Sequence, residues 1–560
     1  MSSAYLGVDV GTGSARAGLF DASGLLLGAG SHPIVMGRPA EDFVEQSSED
    51  IWSAVRSAVR QALSASGVAP AEIRGIGFDA TCSLVVLGPG GAPLSVSPTG
   101  ESRWNVIVWM DHRAKAQASR LSATRHDVLR YVGGRLSPEM QTPKLAWLRE
   151  HMPDTFRAAA AFFDLPDYLA FRATDADVRS ECTTTCKWTY LAHERRFDAE
   201  YFRAAGLGEL ADEGFRRVGT QIRPVGERAG VLSERAALEL GLAPGTPVAV
   251  ALIDAHAGGV GALGVAAPGA GSLSEKMVLV CGTSTCHMAV SEEPRFVEGV
   301  WGPYWSAMVP GLWLAEGGQS ATGALIDHTI FSHARGQELR ARAEAQRTTV
   351  YALLNGVVEE LAARSGREGR LARASLTRDL HVLPDHHGNR SPRADASLRG
   401  AVDGLTLSDS TEALAMLYYA TVQALAYGTR HIVDALRARG FDLRALVAVG
   451  GDTKNTLFVQ EHADVVGMPI VLPHQTESVL LGSAMLAAVA SGDRATLSDA
   501  MATMSGHGTH VLPSNDVGRY HAAKYQVFLR MHESQRAYRE TMAGALADAG
   551  ERSDAEVSRS

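Results

Sequence analysis

Three short loops carry the residue types that hold phosphate. Gly11, Thr12, Gly13 and Ser14 join the apolar runs 5–10 and 15–20; Gly282, Thr283 and Ser284 join 277–281 to 286–290; Gly450, Gly451 and Asp452 follow the apolar run 445–449. A strand-turn-strand with glycine, threonine and serine at its tip brings backbone N–H groups and hydroxyls to one point, which suits phosphate oxygens. One such hairpin alone is a turn and no more. Two in opposite halves, with a Gly-Gly-Asp loop after a third buried strand, point to a nucleotide. No Lys-Ser or Lys-Thr follows a spaced glycine pair, so a P-loop is absent. Gly11 and Gly13 lead into a strand pattern rather than a helix, which disfavours a dinucleotide fold. Asp9 points a carboxylate into the first loop, suited to a Mg²⁺ water shell; read alone it is equally a turn cap. Asp254 ends the apolar run 248–253, and by itself is equally a buried carboxylate or the start of a helix.

The elements that must position these loops follow from periodicity and turn chemistry. Residues 5–10 and 15–20 read as a hairpin whose glycines supply positive φ, and Asp21 to Gly24 turn the chain into a third strand. Ser47 or Ser48 caps a helix with Ile51, Val55, Val59 and Leu63 at helical spacing, closed by Gly67. Strand character resumes at 73–79 and 84–87. Thr142 and Pro143 read as the cap and first position of a helix over 144–151. Asn455 opens a helix that Gly467 closes, and 469–473 returns to strand. Cys182 and Cys186 are one helical turn apart, but Thr183 to Thr185 are poor helix formers, so they read as two reduced thiols rather than a zinc pair. His256 lines or fills the space beside Asp254.

Length and composition narrow the function classes. At 560 residues the chain exceeds one ordinary core, and 46% hydrophobic with 21% charged residues is an ordinary globular balance. Fifty-three basic against 62 acidic residues leave a net charge of −9, with no basic footprint for nucleic acid. Five cysteines without a C-x-x-C pair fit a reducing, cytoplasmic setting. The first ten residues lack a basic n-region, and the least charged stretch is broken by Asp254, His256 and Pro268, so neither a secretory signal nor a membrane span is expected. The Gly-, Ala- and Pro-rich stretch 262–271 marks a boundary between a first lobe, 1–268, and a second, 269–550, with a frayed polar tail at 551–560. Thr12 and Thr283 lie about half the chain apart, which suggests two lobes of related fold. Oligomeric state is not fixed by the sequence, and a homodimer is left open.

The segments DVGTGSARAGLFD (9–21), VWMDHRA (108–114), ALIDAHAGGVGALG (251–264), CGTST (281–285), LAEGGQSATGALID (314–327), HGNRSP (387–392) and VGGDTKN (449–455), in this order over nearly the whole chain, resemble carbohydrate kinases of the FGGY family. The resemblance implies an α/β protein with two lobes of the ribonuclease H-like, actin-like ATPase fold, ATP and sugar meeting in the cleft between them. It makes Asp254 the catalytic aspartate. It places Gly11, Thr12, Gly13, Ser14 and Arg16 in the first phosphate loop, Gly282 and Thr283 in the second, and Gly450, Gly451 and Asn455 on the adenosine side. An actin-like chaperone or scaffold ATPase would share the phosphate loops but not a sugar site.

Within that resemblance, TCSLV (81–85) is similar to the signature of the D-ribulose kinase branch. Where glycerol kinases carry Arg-Glu, Thr81 and Cys82 leave a smaller, uncharged lining with room for a five-carbon polyol. Lys187 and Glu316 match a substrate lysine and glutamate of ribulokinases. Read alone, Cys82 is equally a small core residue, and Lys187 a solvated charge with its stem on Trp188. The expected reaction is phosphorylation of D-ribulose, with L-ribulose, D-xylulose or a pentitol as the alternative substrates.

Overall fold

Apolar strands separated by turn residues pair as the hairpin pattern requires. The computed structural model describes residues 3–557. Its first half contains β1 (Ala4–Val10), β2 (Ser14–Asp21), β3 (Leu26–Pro33), α1 (Ser48–Ser66), β4 (Ile73–Ala80), α2 (Glu181–Trp188), β5 (Arg228–Val231), β6 (Pro247–Ala249), β7 (Leu252–Ile253) and α3 (Asp254–Leu263). The second half contains β8 (Lys276–Cys281), β9 (Thr285–Ser291), β10 (Trp301–Trp305), β11 (Trp313–Gln319), β12 (Ala445–Gly450), α4 (Thr456–Val466), β13 (Ile470–Pro473), α5 (Ser478–Ala490) and β14 (Gly508–Val511).

Two seven-stranded sheets result. The first runs β5-β6-β4-β1-β2-β3 with β7 also on β4; the second runs β10-β11-β9-β8-β12-β13-β14. Each has an antiparallel trio, β1-β2-β3 or β8-β9-β11, followed by two strands parallel to its first, β4 and β6 or β12 and β13. This repeated order is the duplicated actin-like ATPase architecture. Among the described residues no helix is long and apolar enough to cross a membrane.

Local signals account for most element ends. Ser47 accepts from the Asp50 N–H at the start of α1, and Gly67 closes that helix in the left-handed region. Asn455 caps α4 and Gly467 ends it the same way. The helix expected from Thr142 begins earlier, spanning Gln141–His151 with Met140 as a cap that makes no side-chain bond. Pro143 is tolerated there because a first-turn N–H has no partner inside the helix. The threonines at 183–185 do not prevent α2. Ser180 caps it, and the Thr183 and Thr184 hydroxyls are satisfied by the Asp167 carboxylate and the Ser180 carbonyl. Of the tail expected at 551–560, residues 551–557 continue the final helix, Gly518–Val557, and 558–560 lie outside the described residues.

The halves meet through two helices in equivalent places, α3 after β7 and α5 after β13. α5 belongs to the second half in sequence but lies on the first sheet, so close that its backbone touches the strands. A Cβ on Gly7 would stand 2.1 Å from the Leu480 carbonyl oxygen, and one on Gly77 would stand 1.9 Å from that of Ser483. Between the helices, Gly261 meets the Ser478 carbonyl and Gly482 meets that of Ala257 in the same way. Backbone on both sides leaves nothing that yields cheaply. Gly77→Ala is therefore expected to lower stability by about 2 kcal/mol or more, read as a fall in urea midpoint at unchanged m.

Candidate active site

The loops leave the carboxyl ends of the central strands, where α/β sheets place ligands. Gly11 to Gly13 follow β1, Gly282 to Ser284 follow β8, and Gly450 and Gly451 end β12. Gly11 and Gly13 do not have the positive φ expected of them. A Cβ on Gly13 would meet nothing within 4 Å, and the nearest atoms to one on Gly11 or Gly282 are 3.7 and 3.8 Å away. Neither backbone strain nor packing requires glycine at these three positions; what its absent side chain leaves is uncovered backbone facing open space. Gly451 is open likewise, whereas Gly450 has φ +102° and a Cβ there would strike the Cys281 carbonyl at 2.0 Å.

The first loop is held from outside. Thr12 accepts from Gln46 Nε2 at its carbonyl, 2.7 Å, and from Trp109 Nε1 at its hydroxyl, 2.9 Å. Both supports come from segments anchored by Arg113, whose buried guanidinium donates to Asp111 and Glu45, each at 2.8 Å. In the second loop the Gly282 N–H closes on the Ser284 carbonyl, and the Thr283 carbonyl accepts from the Thr322 N–H. Asn455 is committed to the fold: its Oδ1 accepts from Leu457 and Phe458 N–H and its Nδ2 donates to Tyr418. Arg16 bonds Asp9 at 2.7 Å and Glu477 at 3.2 Å.

Three carboxylates gather at the base of the first loop. Asp9 and Asp79 are register partners on β1 and β4, and Asp254 opens α3 directly after β7. Asp79 is fully buried; Oδ2 accepts from Ser483 on α5 at 2.5 Å, and Oδ1 has no partner. Burial, with Asp9 and Asp254 as like-charged neighbours, pushes Asp79 well above the usual carboxylate range. Burial and then Asp9 raise Asp254 to about 6, against the opposing pull of the Ala255 N–H, His256 and Lys187. An orphaned buried carboxylate oxygen beside a second carboxylate fits a hard, oxygen-seeking cation such as Mg²⁺. The sequence reading took Asp9 for this role and passed over Asp79; the two-strand register that pairs them is not visible in either segment alone.

The residues read as the sugar side lie beside Asp254. Lys187 is near enough for its charge to act on Cys82, Asp254 and Glu316. Burial holds the Cys82 thiol up at about 12, so it is neutral. The neighbouring Thr81 hydroxyl is 3.1 Å from that of Ser83. Lys187 is buried near the end of α2 with its ammonium 5.4 Å from the Trp301 ring centroid. Glu316, on β11, accepts from Arg390 at 2.7 Å and faces His256 Nε2 at 3.2 Å. Burial alone would raise Glu316; the His256 hydrogen bond, Arg390 and Lys187 outweigh it and bring it down to about 2. Arg390 falls within HGNRSP, a segment that carries the resemblance, without a role assigned to it there, and His256, expected to line or fill the space beside Asp254, takes its place by bonding Glu316. The structure thus brings together the partly buried Asp254, the paired Glu316, the buried Lys187 and the Asp9–Asp79 carboxylate pair at the foot of a bare-backbone loop.

Comparison with known sequences places this arrangement. The models of the N-terminal and C-terminal domains of the FGGY family of carbohydrate kinases match residues 4–261 and 277–491. The chain belongs to the FGGY family of carbohydrate kinases. An FGGY carbohydrate kinase domain-containing protein of Homo sapiens is 49% identical over 542 residues, 95% of this chain and 97% of that one. A D-ribulokinase of Saccharomyces cerevisiae is 38% identical over 87% of this chain and 72% of its own length, and a ribulokinase of Shouchella clausii is 32% identical over 94% of each. The crystal structure of a xylulose kinase from Rhodospirillum rubrum shares the fold at 22% identity, with a TM-score of 0.76 over 96% of this chain and 99% of that one.

The loop supports in this carbohydrate kinase give a stability test. Arg113→Met leaves Asp111 and Glu45 buried without their shared cation, and is expected to cost about 3–5 kcal/mol, measured by chemical denaturation.

Proposed function

We propose that this kinase transfers the γ-phosphoryl group of ATP to O5 of D-ribulose, giving D-ribulose 5-phosphate and ADP, with Asp254 as general base. The observation that carries the reading is Asp254 itself: a partly buried carboxylate at a helix start, raised to about 6 by desolvation and by Asp9, with the Ala255 N–H, His256 and Lys187 pulling the other way. The 38% identity with a D-ribulokinase and the TCSLV segment support the choice of sugar. The ribulokinase relatives support ribulose as the sugar, and L-ribulose is the second reading.

Asp254 does not need to form an alkoxide in advance. In a loose phosphoryl-transfer transition state the attacking oxygen gains little charge early, so the carboxylate orients the hydroxyl and accepts its proton late. The new bond joins O5 to phosphorus, the bond to the ADP oxygen breaks, and the O5 proton passes to Asp254. Glu316, kept ionised and pre-aligned by His256 and Arg390, accepts from sugar hydroxyls, and Lys187, buried beside the Trp301 ring, donates to them. The open backbone of Gly11, Gly13 and Gly282, with the hydroxyls of Thr12, Ser14 and Thr283, takes the phosphates. Arg16 lies beside them, and Gly450, Gly451 and the Asn455-capped end of α4 form the adenosine side. Asp9 and Asp79 would hold Mg²⁺, which when bound supplies positive charge to the phosphate oxygens.

An ADP-release assay across D-ribulose, L-ribulose, D-xylulose, ribitol and glycerol is expected to give the highest kcat/KM on D-ribulose; a better pentulose would replace the sugar assignment and leave the base intact. Asp254→Asn should retain ADP affinity while kcat falls by roughly 10³-fold or more, in the range of a lost general base. Because the ionised carboxylate is the active form and its pKa is raised, kcat/KM should be half-maximal near pH 6, level off about one unit above it and fall towards tenfold per unit below it. An acid limb at the unperturbed Asp value of about 3.9 would contradict the role assigned to burial.

A further inference from the structure

The helix α2 carries a group that phosphoryl transfer does not use. Cys182 and Cys186 project from one face, one turn apart, and meet His256 from the first turn of α3; one ligand atom from each lies within 4.8 Å of the other two. All three side chains are buried. Cys182 Sγ is 3.0 Å from His256 Nδ1, and His256 Nε2 is the nitrogen that faces Glu316. We propose that Cys182, Cys186 and His256 form a binding site for one thiophilic divalent cation of the zinc type, with Glu316 as the outer carboxylate that orients the imidazole. The site is independent of which sugar the kinase takes.

Donor chemistry and geometry agree. Two sulfurs and an imidazole nitrogen are the ligand set of a borderline-soft cation, not of Mg²⁺ or Ca²⁺. Metal–sulfur and metal–nitrogen bonds of about 2.3 and 2.0 Å set tetrahedral donor atoms roughly 3.5–4 Å apart, so the Cys182–His256 pair, at 3.0 Å, has to open by about half an ångström while the other donor pairs already lie within 4.8 Å. A Cys182–Cys186 disulfide fits worse. Side chains four apart on a helix have Cβ atoms about 5–6 Å apart, whereas a disulfide needs about 3.5–4.5 Å. The Ser180 cap and the Thr183 and Thr184 bonds hold the helical spacing. The imidazole is already oriented: a carboxylate on one ring nitrogen with the other facing the donors is the usual outer arrangement of a metal-bound histidine. Charge closes as well, because two thiolates balance a dication and the dry site is neutral overall, while Glu316 is balanced separately by Arg390. The cation would tie α2 to α3 directly behind Lys187 and Asp254.

The test uses the full-length protein stripped with chelator and loaded with Co²⁺ alone, then with Zn²⁺. One Co²⁺ per chain with thiolate-to-cobalt charge-transfer absorption, displaced by Zn²⁺, is expected. Cys182→Ser and Cys186→Ser should each weaken Zn²⁺ binding roughly 100-fold or more, while Cys281→Ser leaves it unchanged. Glu316→Gln should weaken it about 10- to 100-fold. Zinc-edge X-ray absorption on the wild-type chain, which needs no variant to fold, should show two sulfur neighbours and one imidazole. Wild-type protein without the charge-transfer band, or a zinc shell of oxygen and nitrogen only, overturns the proposal, as does a band that survives both serine variants. None of these readouts depends on kinase activity, so failure here leaves the reaction assignment standing and failure of the sugar assay leaves this site standing.

Discussion

Everything at the site depends on how closely α5 lies on the first sheet. Contact at backbone distance requires glycine at Gly7 and Gly77 on the strands, and again where α3 and α5 cross, at Gly261 and Gly482. The same approach places Ser483 on Asp79 and closes water out from the ends of β1 and β4. A side chain at any of these glycines would wedge the helix away and let solvent reach the carboxylates. The raised pKa values of Asp79 and Asp254 are therefore consequences of sheet-to-helix distance as much as of local charge.

Many of the charges buried around the site are held in pairs. Glu316 lies between His256 and Arg390, Asp9 bonds Arg16, and Arg113 is shared by Asp111 and Glu45. A buried ion that loses its partner costs several kcal/mol, so such pairs hold their geometry tightly. Asp79 Oδ1 and Asp452 Oδ2 are the exceptions beside the loops, each a buried carboxylate oxygen without a partner. These oxygens lie beside loops whose Gly11, Gly13, Gly282 and Gly451 neither backbone strain nor packing requires.

The two sheets divide the work by the same rule. The first supplies Asp9, Asp79 and Asp254 from neighbouring strand ends; the second supplies Glu316 and two glycine-bearing loops. Because β8, β9 and β11 repeat the order of β1, β2 and β3, each half presents a hairpin tip and a parallel strand end at the same edge. His256 and Glu316 then bond across the two halves, so Glu316 is aligned by a residue two positions from Asp254.

Much of this was legible in the residues. Strand alternation, Ser47 and Asn455 as caps, Gly67 and Gly467 as stops, and the three loops follow from local preference, because each depends on neighbours within a few positions. The motif order led to the family, and Cys82, Lys187, Asp254 and Glu316 do come together. Local reasoning misjudged positive φ at Gly11 and Gly13, the start of the helix at Gln141, and the helicity of Thr183 to Thr185. In the last case Asp167, brought up from another helix by tertiary packing, joins the Ser180 cap in satisfying the hydroxyls that disfavour helix in isolation. The Asp9–Asp79 pairing, the His256–Glu316–Arg390 chain and the Cys182–Cys186–His256 cluster were decided only in three dimensions. Each joins residues separated by about 60 to 75 positions, and no periodicity within a segment encodes a distance between segments.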